Sequence, residues 1–404
     1  MSRAEPAPTT DAILTLNAGS SSIKFALFGI AGADIKVSVH GQIDGIGTAP
    51  KFRAADPEGS ALGEHAWTGG AQTQEDLLQF LLDWIVKHLG SDRLVAVGHR
   101  VVHGGRDHDR PALVTADLLA SLDALVPLAP LHQPHNLAPI RAVEAIRPGL
   151  SQVACFDTAF HHAMPMVAAR IALPREFEAL GLRRYGFHGL SYEYITRRLR
   201  VLSPGIAAGR VIVAHLGNGA SLCGMANGQS QDTTMSFTPL DGLVMGTRCG
   251  SIDPGAILYL LREHGMDADQ VEDLLDRRSG LLGVSGLASD MRVLLDSDDP
   301  KAAEAVELFV FHIARETGAM ASTLGGIDGI VFTGGIGEHA AQIRALVCKR
   351  LAWLGVEMDD KANDAGKDII STPASRVEVR VIPTDEEAMI ARHTLELLRP
   401  QPAS

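Results

Sequence analysis

Short apolar runs broken by glycine-rich polar turns recur along the chain, and between them lie stretches with apolar residues at helical spacing. Ile13 to Leu16 reads as a buried strand, Asn17-Ala18-Gly19-Ser20-Ser21-Ser22 as a turn, and Ile23 to Phe28 as the returning strand. The same form returns about half a chain later. Val211 to Val213 is apolar and β-branched, Gly217, Asn218 and Gly219 make the turn, and Ser221 to Met225 runs back to Asn227-Gly228, a strong hairpin signal. Two such hairpins predict a duplicated domain facing its own copy across a cleft. A third strand, about Lys36 to Gln42, continues the first meander. Leu77, Leu78, Phe80, Leu81, Trp84 and Ile85 then recur at helical spacing within Gln74 to Leu89, and Gly90 supplies the stop.

Further strands are predicted over Leu94 to Val102, Val153 to Phe156, Ile327 to Phe332 and Val377 to Ile382. Pro127 to Asn136 reads as a proline-rich loop, with Asn136 the N-cap of a helix from Leu137 to Ile146. Another helix is expected from Ser191 to Leu199, and a mostly helical region from Pro254 to about Leu324, within which Ser289-Asp290-Met291-Arg292 looks like a capped start. Thr384 to Glu387 forms a T-x-x-E capping box for a final helix. This order predicts two α/β domains, each a mixed sheet covered by helices. Their expected bounds are 11–160 and 161–384, with the helix of 385–400 packing back on the first. Residues 1–10, rich in Pro, Ala and Thr and without a cleavage pattern, read as a loose leader.

The turns carry the candidate chemistry. LGNGAS is not a dinucleotide loop, because a hairpin and not a helix follows its glycines. No GxxxxGK[ST] occurs. The turn's N–H groups and small hydroxyls could close on a phosphate chain, or form a plain hairpin. Lys24 stands in an otherwise apolar strand, which the phosphate reading explains. Arg248 is isolated between Gly246 and Gly250. Arg100, in an apolar run, needs a partner: a structural ion pair, or a bound carboxylate or phosphate. Asp157 ends a strand, which suits metal or phosphoryl chemistry and equally a helix cap. His188 falls at a backbone bend. Thr333-Gly334-Gly335-Ile336-Gly337-Glu338 follows a strand, where α/β folds admit nucleotides. The capping box accounts for Glu387 and leaves Glu386 to point elsewhere, although acids are common in first helical turns.

Composition narrows the field. The 404 residues carry a formal net charge of −12 and no basic stripe, which argues against nucleic acid. An anionic substrate must then be held by local arginines against the overall field. The cysteines, Cys155, Cys223, Cys249 and Cys348, form no CxxC pair and read as reduced residues of a cytosolic protein. No apolar run approaches the roughly 20 residues that span a membrane. The sixteen histidines include no HExxH and no zinc-ligand spacing.

Taken together the motifs resemble the acetokinase family, the acetate kinases of the superfamily of acetate and sugar kinases, Hsp70 and actin. They are LNAGSSSIKF (16–25), GHRVVHGG (98–105), APLHQPHN (129–136), CFDTAFH (155–161), RYGFHGLS (184–191) and HLGNGAS (215–221), then TPLDGLVMGTRCGSIDPG (238–255), SDMR (289–292), FTGGIGE (332–338) and TDEE (384–387). Ser236, Cys249 and Tyr192 stand where Gly, Ser and His are more usual. The resemblance implies two duplicated ribonuclease H-like, actin-like ATPase domains and reversible transfer of the ATP γ-phosphoryl group to acetate, giving acetyl phosphate and ADP. It implies Asn17 and Glu386 as ligands of Mg2+, with Mn2+ as the other candidate ion, and Lys24 on the ATP phosphates. His215, Leu216, Gly217, Asn218, Gly219, Asp290, Met291, Arg292, Gly335, Ile336, Gly337, Glu338 and His339 become nucleotide contacts. Asp157, His188 and Arg248 become catalytic, and Arg100 binds the acid's carboxylate. Val102, Leu131, Phe187 and Pro239 would line its methyl pocket. A cytoplasmic homodimer is also implied. Propionate or butyrate is the alternative acid, and a nucleotide-dependent binding protein on an actin-like fold is the alternative class.

Overall fold

A computed structural model describes residues 10–19, 22–68 and 72–399. Ser20 and Ser21 of the first turn, and positions 1–9 of the expected leader, lie outside the described residues. The chain divides into two compact units: one comprises the chain through Ala159 together with the stretch from Asp385 onward, the other Phe160–Thr384.

In the first unit, β1 (Asp11–Ala18), β2 (Ser22–Ala31) and β3 (Asp34–Asp44) form an antiparallel meander. It is extended by β4 (Lys51–Ala55) and β5 (Ala61–Ala66). On the other side of β1 lie β6 (Arg93–Val101), parallel to it, then β8 (Ser151–Phe156), parallel to β6. The short β7 (Ala112–Leu113) closes that edge. Alternation along β1 explains its position. Leu14, Leu16 and Ala18 pack with Leu77, Leu81 and Ile85 of the helix Gln74–Leu89. Ile13, on the opposite face, packs with Ala391 and Leu395 of the C-terminal helix Glu386–Leu398. Thr73 makes a capping box with Asp76 at the start of Gln74–Leu89.

In the second unit, β9 (Arg210–Leu216), β10 (Ala220–Ala226) and β11 (Gln229–Thr233) form a second meander. Then β12 (Gly329–Thr333) runs parallel to β9, and β13 (Glu378–Val381) parallel to β12. The hairpin turn places both Asn227 (φ 50°) and Gly228 (φ 72°) at positive φ, as a type I′ turn requires. The order β3-β2-β1-β6-β8 is repeated as β11-β10-β9-β12-β13. This repeat is the duplication that the two hairpins announced.

Two expected caps differ. The helix predicted from Leu137 begins at Gln133, with Pro134 in its first turn, so Asn136 lies inside it. The Asn136 side chain instead accepts from Val102 N at 2.8 Å and donates to Ala18 O at 2.6 Å. The C-terminal helix is capped by Asp385, which accepts from Ala388 N at 2.8 Å, and not by Thr384. The capping box therefore does not account for Glu387.

Candidate functional site

In the first unit the site grows from the ends of neighbouring strands. Arg100 on β6 lies beside Cys155 on β8, and Asp157 follows that strand directly. Arg100 Nε donates to both Asp157 oxygens, at 3.0 and 3.1 Å, and Nη2 donates to Oδ2 at 2.5 Å. A carboxylate gripped this way is held in plane and in register. Arg100 Nη1 donates to Asn17 Oδ1 at 3.1 Å, and Asn17 Nδ2 donates to Glu386 Oε2 at 3.4 Å. Glu386 Oε2 also lies 3.8 Å from Arg100 Nε. Asn17, Arg100, Asp157 and Glu386 thus form one cluster. The Asp157 side chain is 1% exposed against 21% for Arg100, so the acid is the buried partner and the guanidinium keeps an outward edge. Burial would lower the arginine's pKa, but Asp157 and Glu386 hold it above its ordinary range.

Glu387, next to this cluster, is half-buried. Burial raises its pKa, Glu386 adds to the rise, and Lys24 opposes it. Lys24 itself is exposed on β2. Behind Arg100, Val102 is buried and Leu131 half-buried. Gln133 fixes the loop after β6, accepting from His103 N at 3.2 Å and donating to His103 O at 3.0 Å. Gln133 was not singled out in the sequence, and Asn136 was read there only as a helix cap, although both hold this loop. Their signal was polarity within an apolar helix face.

In the second unit His188 precedes the helix Gly189–Leu202 in a left-handed conformation (φ 59°, ψ 24°), uncommon for a non-glycine residue. His161 supports it from behind. Its Nε2 donates to Phe187 O at 2.9 Å and its Nδ1 accepts from Ser230 at 2.8 Å, and burial lowers its pKa to about 4. The His188 ring stacks on His215 with centroids 4.3 Å apart. Serines hold both rings: Ser221 lies 2.8 Å from His188 Nδ1, and Ser191 2.8 Å from His215 Nδ1. A Cβ on Gly219 would lie 3.5 Å from His188 Nε2 and 3.7 Å from Arg248 Nη1. The turn, the histidine and the arginine therefore converge.

Arg248 is held by Pro239 O, which accepts from Nη1 at 3.0 Å, and its Nε lies 4.0 Å from Asp276 Oδ1. Burial raises the Asp276 pKa and Arg248 lowers it in part. Asp276 escaped the sequence reading because it sits among many acids of a helical stretch. Gly280 (φ 62°) packs against this loop: a Cβ there would come within 2.2 Å of Met245 O and 2.7 Å of Arg248 O.

Beside His215, Thr333 ends β12 and the short helix Gly334–His339 follows. Gly334 takes φ 75°, with room for no side chain against Leu216 O. Glu338 folds back to accept from Gly334 N at 2.8 Å and Thr384 N at 3.1 Å. Arg344, 1% exposed, donates to Gly337 O and Glu338 O, each at 2.9 Å. Gly335 and His339 are exposed, Ile336 is half-buried and Gly337 is buried. Phe187 and Met291 are buried and Pro239 half-buried. Asp290 and Arg292 pair with each other at 2.5 Å on the surface, and the hydrogen bonds of Arg292 draw the Asp290 pKa down to about 2.

The duplicated frame with catalytic-type side chains at its strand ends defines the actin-like class of phosphotransferase folds. The model of the Acetokinase family matches residues 12–392. An acetate kinase of Rhodopseudomonas palustris is 54% identical over 96% of this chain and 98% of its own. One from Rhizobium meliloti is 51% identical over 96% and 98%. The crystal structure of a propionate kinase from Francisella tularensis superposes with a TM-score of 0.89 at 38% identity, covering 96% of this chain and 99% of its own. Porphyromonas gingivalis acetate kinase gives a TM-score of 0.86 at 36% identity, covering 97% and 100%. The chain belongs to the acetokinase family.

Proposed function

We propose that the protein catalyses reversible transfer of the ATP γ-phosphoryl group to acetate, giving acetyl phosphate and ADP by direct in-line attack of a carboxylate oxygen. The observation that carries this reading is the Arg100 cluster. Asp157 takes the side-on fork of the guanidinium and Asn17 one further N–H, so N–H groups remain for a substrate carboxylate. The acid is already ionised at neutral pH, so the reaction needs no general base. Its obstacle is the meeting of two anions, and cationic and hydrogen-bonding groups aimed at the transferring phosphoryl group offset that repulsion.

The roles divide between the units. Arg100 binds the carboxylate, and Val102, Leu131, Phe187 and Pro239 bound the methyl group. Asp157 fixes Arg100 and, through it, the attacking oxygen. Lys24, the turn His215 to Gly219, Asp290 to Arg292 and Gly335 to His339 hold the nucleotide. His188 and Arg248 stabilise charge on the transferring group. Among the described residues no three His, Cys, Asp or Glu side chains form a metal cage. Magnesium fits without one, since it takes one or two protein oxygens together with phosphate oxygens and water. The oxygens of Asn17 and Glu386 meet that need. Bound there, the ion would neutralise charge on the phosphate oxygens.

A homodimer is part of the reading. The helix Pro254–Glu263 buries none of its residues, and Leu258 and Tyr259 are open on it, which supports a second copy as its cover. Among the described residues no helix is long and apolar enough to cross a membrane. Cys223, Cys249 and Cys348 are free thiols, which supports a cytoplasmic setting. The test is hydroxylamine trapping of acyl phosphate made from ATP and formate, acetate, propionate or butyrate. Most product with acetate supports the reading. Most with propionate or butyrate would keep the mechanism and change the substrate. No product with any acid while ATP still binds would leave a nucleotide-dependent binding protein.

A further inference from the structure

The hydroxyl of Ser221 sits between two groups. One is His188 Nδ1 at 2.8 Å, and the other is the hydroxyl of Tyr192 in a very short contact. Ser221 has one hydrogen to give. If it went to Tyr192, the tyrosine's own hydrogen would need another acceptor. Tyr192 is fully buried, and Ser221 is its hydrogen-bond partner among the described residues. A buried O–H without an acceptor is costly, so Tyr192 donates to Ser221. Burial also pushes the tyrosine's pKa well up, which keeps that hydrogen in place. Ser221 must then donate to His188 Nδ1, and the neutral ring carries its hydrogen on Nε2. Nε2 is the atom on the side of Gly219 and Arg248.

We propose that Tyr192 is a positioning residue: through Ser221 it fixes His188 as the Nε2–H tautomer, so that the imidazole presents a standing donor where phosphoryl charge develops. The sequence supplies the pieces in a compact way. Ser221 on β10 faces His215 on β9, and Tyr192 follows His188 by one helical turn. A parallel relay runs from the Thr384 hydroxyl to Ser191 at 2.8 Å and from Ser191 to His215 Nδ1 at 2.8 Å. Both stacked rings thus meet a serine hydroxyl at Nδ1. This inference rests on the role proposed for His188 and adds the group that sets its polarity.

The experiment is long-range 1H–15N spectroscopy of the histidine rings in the free protein, with the His188 signals assigned by their loss in His188→Gln. Wild type should show a protonated Nε2 and an unprotonated Nδ1. Tyr192→Phe and Ser221→Ala should each give a mixture of tautomers. In steady-state assays each variant should lower kcat about tenfold with both KM values within about twofold, and the double variant should add little further. A wild-type ring protonated at Nδ1, or a tautomer unmoved in both variants, would overturn the relay. An altered tautomer with unchanged kcat would overturn its part in catalysis. Because the tautomer is read without substrate, a wild-type protein that phosphorylates no acid would sink the proposed function without touching the relay.

Discussion

Arg248 shows how a single residue is made available for chemistry. It is threaded between glycines, tied to Pro239 O and steered by Asp276, so its charge is held in place before any anion arrives. Groups preorganised in this way are worth a few kcal/mol in a transition state. Arg248→Ala should therefore lower kcat by at least about a hundredfold, measured as acetyl phosphate formation at saturating acid and ATP. A near-normal kcat would remove Arg248 from the mechanism. Residues of this kind were legible in the sequence because a charge among glycines or in an apolar strand stands out, as Arg100, Lys24 and Arg248 do. Their partners were not. Asp276, Ser221 and Gln133 look ordinary locally, and only the fold brings them to the residues they hold.

Elements present the side chains, and their ends are what matter. The loop after β12 depends on Arg344, whose guanidinium also takes Asn363 Oδ1 at 2.8 Å. Burial lowers the arginine's pKa, and Cys348 and Asp364 oppose that shift in part. Arg344→Met would leave the Gly337 and Glu338 carbonyls without these donors, at about 1–3 kcal/mol for each unsatisfied group. We expect a lower melting temperature and a raised KM for ATP with a smaller change in KM for acetate. Equal changes in both would contradict a local role. At the end of β6, Val102→Ala should enlarge the acid pocket and raise the propionate-to-acetate ratio of kcat/KM, within the 1–3 kcal/mol that about one methylene is worth. An unchanged ratio would take Val102 out of the pocket. The central strands and the helix Gln74–Leu89 were legible from periodicity. The outer strands β4 and β5 were not, since Lys51–Ala55 and Ala61–Ala66 offer too few large apolar positions to show a pattern. The final helix began one residue later than the T-x-x-E spacing suggested because Asp385 is the better-placed cap.

At the scale of the whole molecule, buried histidines set the acid limit of stability. Burial lowers the pKa of His99, His103 and His161 to about 4. Their unfolded value is near 6.5, so the native state favours the neutral ring. This contribution is present above about pH 6.5 and is lost as the pH falls toward about 4, because the unfolded chain takes up protons first. Denaturant unfolding should therefore weaken across that window, with proton uptake on unfolding, and His161→Gln should reduce the slope. A stability flat from pH 7 to pH 5 would contradict the burial of neutral rings. Assembly is tested at the same scale: Tyr259→Glu should shift the sedimenting species from dimer toward monomer, and a wild-type monomer would remove the homodimer. The proposed reaction turns on a carboxylate oxygen attacking the γ-phosphorus. The direct measurement is mass spectrometry of acetyl phosphate made from ATP and acetate labelled with 18O at both carboxyl oxygens. Attack by the carboxylate predicts product that keeps both labels and forms only when the acid is present. Product that has lost a label, or ATP turnover indifferent to acetate, would contradict it.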